Sequence, residues 1–209
     1  MDHAFWQSRW QQGQIGFHEG APNAYLVQHH GWLVPCKRIL VPLCGKTHDL
    51  AFLAGHGHEV VGIELVEDAV RQFFAEHGAE PRVEPAGGMT RYTAGAITIL
   101  AGDFFAATPA LVGEIDGIFD RAALVALPPD LRTQYVAHLR TLAPAATREL
   151  LLSIEYPEGA HGGPPFSVLE PEVRERFAAA RSVEDVGSGP DPQGRLDGKM
   201  IERCYQVAL

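Results

Sequence analysis

From residue 37 onward the chain alternates short apolar runs with amphipathic stretches. KRILVPL is continuous and too short for a helix, so it predicts a buried strand near 38–43. CGKTHDLAFLAGHG reads as a turn and a helix. Leu50, Phe52, Leu53 and Ala54 supply its apolar faces, and Gly55 or Gly57 ends it. HEVVGIEL predicts a second buried strand, closing on Glu64. In VEDAVRQFFAEHG, Val66, Val70, Phe73, Phe74 and His77 fall on one side of a second helix, with Gly78 as its stop. Strand, helix, strand, helix with short connections is the rhythm of an α/β fold with a parallel sheet and crossover helices.

The middle continues in kind. RYTAGAITILAGD predicts two short strands joined at Ala94-Gly95, and EIDGIFDRAAL another near 115–119 that leads into Asp120-Arg121. Pro128 and Pro129 open a helix carrying Leu131, Tyr135, Val136, Leu139 and Leu142 at helical spacing, and Pro144 closes it. RELLLSIEY is a further strand. PEGAHGGPPFSV is a Gly/Pro-rich loop of a length more often functional than idle. A short helix is expected at 170–180. RSVEDV and KMIERCYQVAL then predict two last strands, joined by the loop GSGPDPQGRLDG. At the other end, FWQSRW sets Trp6 and Trp10 four apart on one helix face, as core plugs or as cover for a ligand.

Composition narrows the class. The 209 residues suit one domain, and 46% apolar with 21% charged residues are globular values. No repeat or linker divides them, so 1–209 is expected to be a single domain with its regular core at 37–209. A net charge of −9 without a Lys/Arg block argues against nucleic acid. No apolar stretch approaches a membrane span, and the N-terminal MDHAFWQSRWQQG lacks the features of a secretion signal. Cys36, Cys44 and Cys204, an odd count without a CxxC pair, fit neither a disulfide framework nor a zinc site. A cytoplasmic monomer without a metal is the expectation. The His29-His30 pair, His56 and His58 sit at turns, with no chemical role expected. His18 and His48 lie nearer the segments that carry chemistry.

In open parallel sheets, ligands bind at the carboxyl ends of the strands. The first strand ends in PLCGK, with Gly45 the turn's one glycine. The second ends in Glu64, nineteen residues after Gly45, where a carboxylate accepts hydrogen bonds from both hydroxyls of a ribose. The third ends in GDFF. Asp103 there can accept from an adenine amine while a Phe packs on the ring, or can merely cap the turn. The fourth ends in Asp120-Arg121, where Arg121 can equally neutralise Asp120 or Asp103. Neither GxGxxG nor GxxxxGK[ST] is present, which disfavours dinucleotides and ATP. A nucleoside ligand without phosphate fits better, and S-adenosylmethionine is the common one.

FWQSRWQQGQIGFHEG, ILVPLCGKTHDLAFLAGHGHEVVGIEL, AGDFF, FDRAALVALPP and GGPPFSV, in this order across about residues 5–168, resemble the thiopurine S-methyltransferase family, especially its bacterial members. The resemblance implies a class I, Rossmann-like methyltransferase fold: a three-layer sandwich around a seven-stranded, mostly parallel sheet with one antiparallel strand. It implies S-adenosylmethionine as donor and S-adenosylhomocysteine as product, with residues 1–36 capping the donor site. It places Trp10 and Leu43 at the donor's methionine end, Glu64 on the ribose, Phe104 beside the adenine, and Arg121 near both donor and acceptor. Arg195 is the nearest match to a second arginine implicated in acceptor binding. Phe166 of GGPPFSV would cover the acceptor.

The implied reaction is in-line methyl transfer to an aromatic or heterocyclic thiolate, a detoxifying methylation driven mainly by alignment. Such thiols ionise more readily than cysteine, so a dedicated base is not required. Arg121 would hold the thiolate electrostatically. Selenium or tellurium species, sulfide or halide are alternative acceptors on the same scaffold. A nicotinamide-dependent dehydrogenase is disfavoured by the missing glycines, and a non-enzymatic donor sensor would bind without turnover.

Overall fold

The structure, a computed structural model, describes residues 3–209. The chain opens with α1 (His3–Gln11) and α2 (Ala24–His29), then enters β1 (Arg38–Pro42), α3 (Asp49–Gly55), β2 (Glu59–Glu64) and α4 (Glu67–Glu76). Three strands follow, β3 (Arg82–Ala86), β4 (Met89–Ala94) and β5 (Ile97–Ala101), and then the short α5 (Pro109–Val112). The second half runs β6 (Gly117–Arg121), α6 (Pro129–Leu142), β7 (Arg148–Glu155), α7 (Glu170–Arg176), β8 (Ser182–Pro190) and β9 (Ile201–Ala208).

All nine strands form one sheet in the order β3-β4-β5-β2-β1-β6-β7-β9-β8. The stretch β5-β2-β1-β6-β7 is parallel. β9 enters antiparallel between β7 and β8. These seven strands are the expected Rossmann-like arrangement with its one antiparallel member. The sheet nevertheless has nine strands, because β3 and β4 extend it as a hairpin beyond β5. β3 is missing from the hydrophobic pattern because RVEPA is mostly exposed. Its Pro85 is tolerable only because the strand lies at the sheet edge. Gly87 and Gly88 make the two-residue turn, both at positive φ (57° and 85°), as hairpin geometry requires.

Three boundaries differ from expectation. β6 begins two residues later than 115, which makes Arg121 its last residue. α7 stops at Arg176, short of 180. The residues GSGP belong to β8, which continues past a bulge at Asp185/Gly187. Apolar side chains pack against both faces of the sheet. One face carries Leu40, Val61, Leu100, Ile118 and Leu151; the other carries Ile39, Val41, Val60, Phe119 and Leu152. Among the described residues, no helix is long and apolar enough to cross a membrane.

Asp120, fully buried on β6, fastens α6 to the sheet. Its Oδ2 accepts from the Tyr135 hydroxyl at 2.7 Å, and its Oδ1 accepts from the Leu124 amide at 3.2 Å. Burial pushes the carboxyl up; these donors oppose the shift. Tyr135→Phe leaves a buried acceptor without its donor. We expect a loss of about 1–3 kcal/mol in denaturant unfolding.

Candidate active site

A cavity of about 270 Å³ opens at the carboxyl edge of the parallel strands. Its floor comes from successive strand ends: Leu43, Cys44 and Gly45 after β1, Glu64 on β2, Arg121 on β6, Leu152 and Ile154 on β7, and Glu202 on β9. Register explains the gathering. Arg121 pairs with Leu152, and Ile154 pairs with Glu202, so side chains of one parity meet along one edge. The N-terminal segment closes the opposite wall with Trp6, Trp10, Phe17 and His18. Trp10 meets Phe17 edge-on at 5.7 Å between ring centroids.

Glu64 is 6% exposed. Its Oε2 accepts from the Gly45 amide and its Oε1 from the Val66 amide, both at 2.7 Å. Burial raises this carboxyl to about 7, against the lowering effect of the Val66, Gly45 and Leu65 amides. Gly45 itself sits at φ 55°, and a Cβ there would lie 3.3 Å from Cζ2 of Trp10. Gly45→Ala therefore forces an unfavourable φ and displaces the indole. We expect about 1–2 kcal/mol of lost stability and a shifted tryptophan emission.

Non-glycine residues at left-handed φ also cluster here. Among the described residues they are Leu43 (47°), Ala122 (64°), Leu196 (54°) and Asp197 (52°). The first two line the cavity and the last two follow Arg195, which also lines it. Strain of this kind persists where the surrounding structure demands a particular backbone path.

Arg121 is 10% exposed and donates from Nη2 to Oε1 of Glu19 at 2.5 Å. The Asn23 amide nitrogen lies 3.4 Å from Glu19 Oε2 and 3.4 Å from Glu202 Oε2. Arg195 grips Asp191 with two bonds, Nε–Oδ2 at 2.9 Å and Nη2–Oδ1 at 2.6 Å. Burial alone would raise the Asp191 carboxyl, but Arg195 holds it below its usual value. His18 is held below its ordinary value by burial, then by Lys46 and His48.

The sequence profile described as Thiopurine S-methyltransferase (TPMT) matches residues 1–194. Thiopurine S-methyltransferase from Pseudomonas paraeruginosa is 46% identical over 205 residues, covering 97% of this chain and 93% of its own. Its namesake from Pseudomonas putida is 42% identical with both chains covered completely. The chain belongs to the thiopurine S-methyltransferase family. It is therefore a methyltransferase. Solved structures share its fold. The 1,6-didemethyltoxoflavin-N1-methyltransferase of Burkholderia thailandensis, with 1,6-didemethyltoxoflavin and S-adenosylhomocysteine bound, aligns with TM-score 0.66 at 19% identity, covering 99% of this chain and 87% of its own. Magnesium protoporphyrin IX methyltransferase from Synechocystis, solved with SAH, aligns with TM-score 0.64 at 14% identity over both whole chains.

In this member of the thiopurine S-methyltransferase family, Trp10, Leu43, Gly45, Glu64, Arg121 and Arg195 all line one cavity. Asp103, Phe104 and Phe166 are not among its lining residues. Asp103 caps a turn, accepting from the Phe105 amide at 3.0 Å, and pairs with His3 at 3.2 Å. Phe104 is fully buried, its ring 5.1 Å from both Tyr135 and His138. Phe166 donates its amide to Val125 at 2.7 Å and leans on Gly163, leaving Pro164 and Pro165 to line the cavity in its place. The structural partner of Arg121 is Glu19, not Asp120 or Asp103. Glu19, Asn23 and Glu202 were missed from sequence. Each is an isolated polar residue whose meaning depends on a neighbour 102 or more positions away. Among the described residues, no group of three or more His, Cys, Asp or Glu can hold a metal ion.

Proposed function

We propose that this family member transfers the methyl group of S-adenosylmethionine to the sulfur of aromatic and heterocyclic thiols, thiopurines among them. One observation carries the reading: a buried carboxylate, Glu64, and an arginine, Arg121, share a cavity at the carboxyl edge of a Rossmann-like sheet. The residues suit such a donor. Glu64 is preset by two backbone amides to accept from ribose hydroxyls, and Trp10 packs close against Gly45 with Leu43 lining the same cavity. The donor is a co-substrate that supplies a methyl group on a sulfonium sulfur.

The chain's own part is alignment and exclusion of water. Glu64 anchors the ribose, and α1 with Trp10 acts as the cap. Leu152, Ile154, Pro164 and Pro165 offer apolar walls to a flat ring. Arg121 holds the acceptor sulfur as an anion, competing with its resting partner Glu19. No pyrophosphate cradle is needed, in keeping with the single glycine of PLCGK.

The deciding experiment is transfer of labelled methyl from S-adenosylmethionine to a panel of thiophenols, thiopurine thiols, selenite, tellurite, sulfide and iodide. The aromatic and heterocyclic thiols should give the highest kcat/KM, with methyl on sulfur by mass spectrometry. A higher kcat/KM for a metalloid, sulfide or halide would replace this acceptor class with that one.

A further inference from the structure

Glu202 has no part in the reading so far, yet it lies in the same cavity. It sits on β9, opposite Ile154 in register, and is 6% exposed. Among the described residues its carboxylate has one polar partner, the Asn23 side-chain nitrogen, at 3.5 Å from Oε1 and 3.4 Å from Oε2. Asn23 is itself fixed. Its Oδ1 caps α2, accepting from the Tyr25 amide at 2.9 Å and the Leu26 amide at 3.4 Å, and its backbone amide donates to Asp49 at 2.7 Å. The cap decides which end of the amide points outward, so Nδ2 faces Glu19 and Glu202 together. A buried carboxylate with only long hydrogen bonds on its rim gains most by taking a proton. Resting on the thiol-methylation reading above, we propose that Glu202 is the proton acceptor for acceptor thiols that are not already ionised, held in place by Asn23.

The step balances. The thiol S–H bond breaks, its proton goes to a Glu202 oxygen, and its electron pair stays on sulfur. That sulfur forms a bond to the methyl carbon while the methyl–sulfonium bond breaks, leaving its pair on the donor sulfur as a neutral thioether. The carboxylate and sulfonium charges both disappear, and Glu202 returns its proton to water after product release. The charged and titratable groups facing Glu202 are Arg121 on β6, Glu19 and Tyr25 near α2, Asp191 after β8, and Cys204 on its own strand. Burial raises its carboxyl to about 7; Arg121 and Asn23 oppose this, and Glu19 and Asp191 add to it. A base poised there suits work near neutral pH.

The test compares two acceptors at saturating donor, which keeps Glu64 engaged: an alkyl thiol ionising near ~8.5 and a nitro-substituted aryl thiol already ionised at neutral pH. Glu202→Gln should lower kcat/KM about a hundredfold for the alkyl thiol and less than about threefold for the aryl thiol. Calorimetric affinity for S-adenosylhomocysteine should not change. Equal losses with both thiols, or no loss with either, overturn the proposal in favour of a packing role. Wild-type profiles test it without any variant. A base at Glu202 makes the alkyl-thiol kcat/KM level off near pH 7 and fall above the thiol's own ionisation; a climb that continues to that ionisation overturns the role. If wild-type protein methylates neither thiol but does methylate another acceptor, the acceptor class itself is wrong and this inference falls with it.

Discussion

Glu64→Ala is expected to weaken S-adenosylhomocysteine binding by on the order of a hundred- to ten-thousandfold in calorimetry. The expected loss comes from two charge-assisted hydrogen bonds to the ribose, each worth about 1.5–3 kcal/mol. The substitution also frees the Gly45 and Val66 amides, which now fix the turn after β1 and the start of α4. Ribose hydroxyls donate to the ionised carboxylate, so donor affinity should rise with pH through about 7, the level to which burial brings this group. Stability carries the opposite sign. The folded carboxyl sits above its ordinary 4.5, so the native state holds more protons than the unfolded chain between about 4.5 and 7. Unfolding free energy should therefore fall as pH rises through that window, and Glu64→Ala should flatten part of that fall. A folded Glu64→Ala protein with wild-type donor affinity would sink the assignment.

In the proposed reaction Arg121 serves the acceptor side. Arg121→Ala should cost about 10²–10³ in kcat/KM for thiol acceptors, the scale found when a preorganised charge stabiliser is removed from a site. Arg121→Lys should also be impaired, because a compact ammonium cannot reproduce the planar fork that a guanidinium presents to a sulfur anion. Donor binding should change little in either variant. Removing Arg121 strands Glu19, whose side chain is only 17% exposed. Some stability loss is therefore built into the Ala variant. Glu19→Gln in the same background relieves that charge and separates the two effects. If the double variant recovers melting temperature but not kcat/KM, the arginine acts on the acceptor. If kinetics return with stability, Arg121 belongs to the scaffold.

The strand ends were legible because the parallel core is built from continuous apolar runs with sharp polar stops. VVGIE stops at Glu64 and GIFDR at Arg121, and both residues occupy the last position of their strands. GDFF likewise follows a strand end, and there the turn-capping alternative for Asp103 is the one seen. Its Asp103 caps the turn, and Phe104 points into the core against Tyr135 and His138. An aromatic residue one position past a strand end satisfies a core as readily as a ligand, and the choice is made by a helix 31 or more residues later in sequence. The polar RVEPA strand left no period-two signal, although the Gly87-Gly88 pair beside it marked the turn. GSGP looks like a loop by composition, yet it forms the bulged end of β8 because β9 supplies its partners.

The sequence by itself determined the crossover rhythm and the sheet edge at which Leu43, Gly45, Glu64 and Arg121 line one cavity. Those properties are local: burial of a short apolar run and the chemistry of the residue that ends it. Tertiary structure alone decided the partners. It set Glu19 on Arg121, Asn23 between two carboxylates and Asp191 under Arg195. It also buried Glu202 inside the cavity, although on β9 that residue is one more polar position in an alternating strand. The burial and neighbours that set how a charge behaves arise only when the N-terminal segment folds back over the sheet and β9 inserts beside β7.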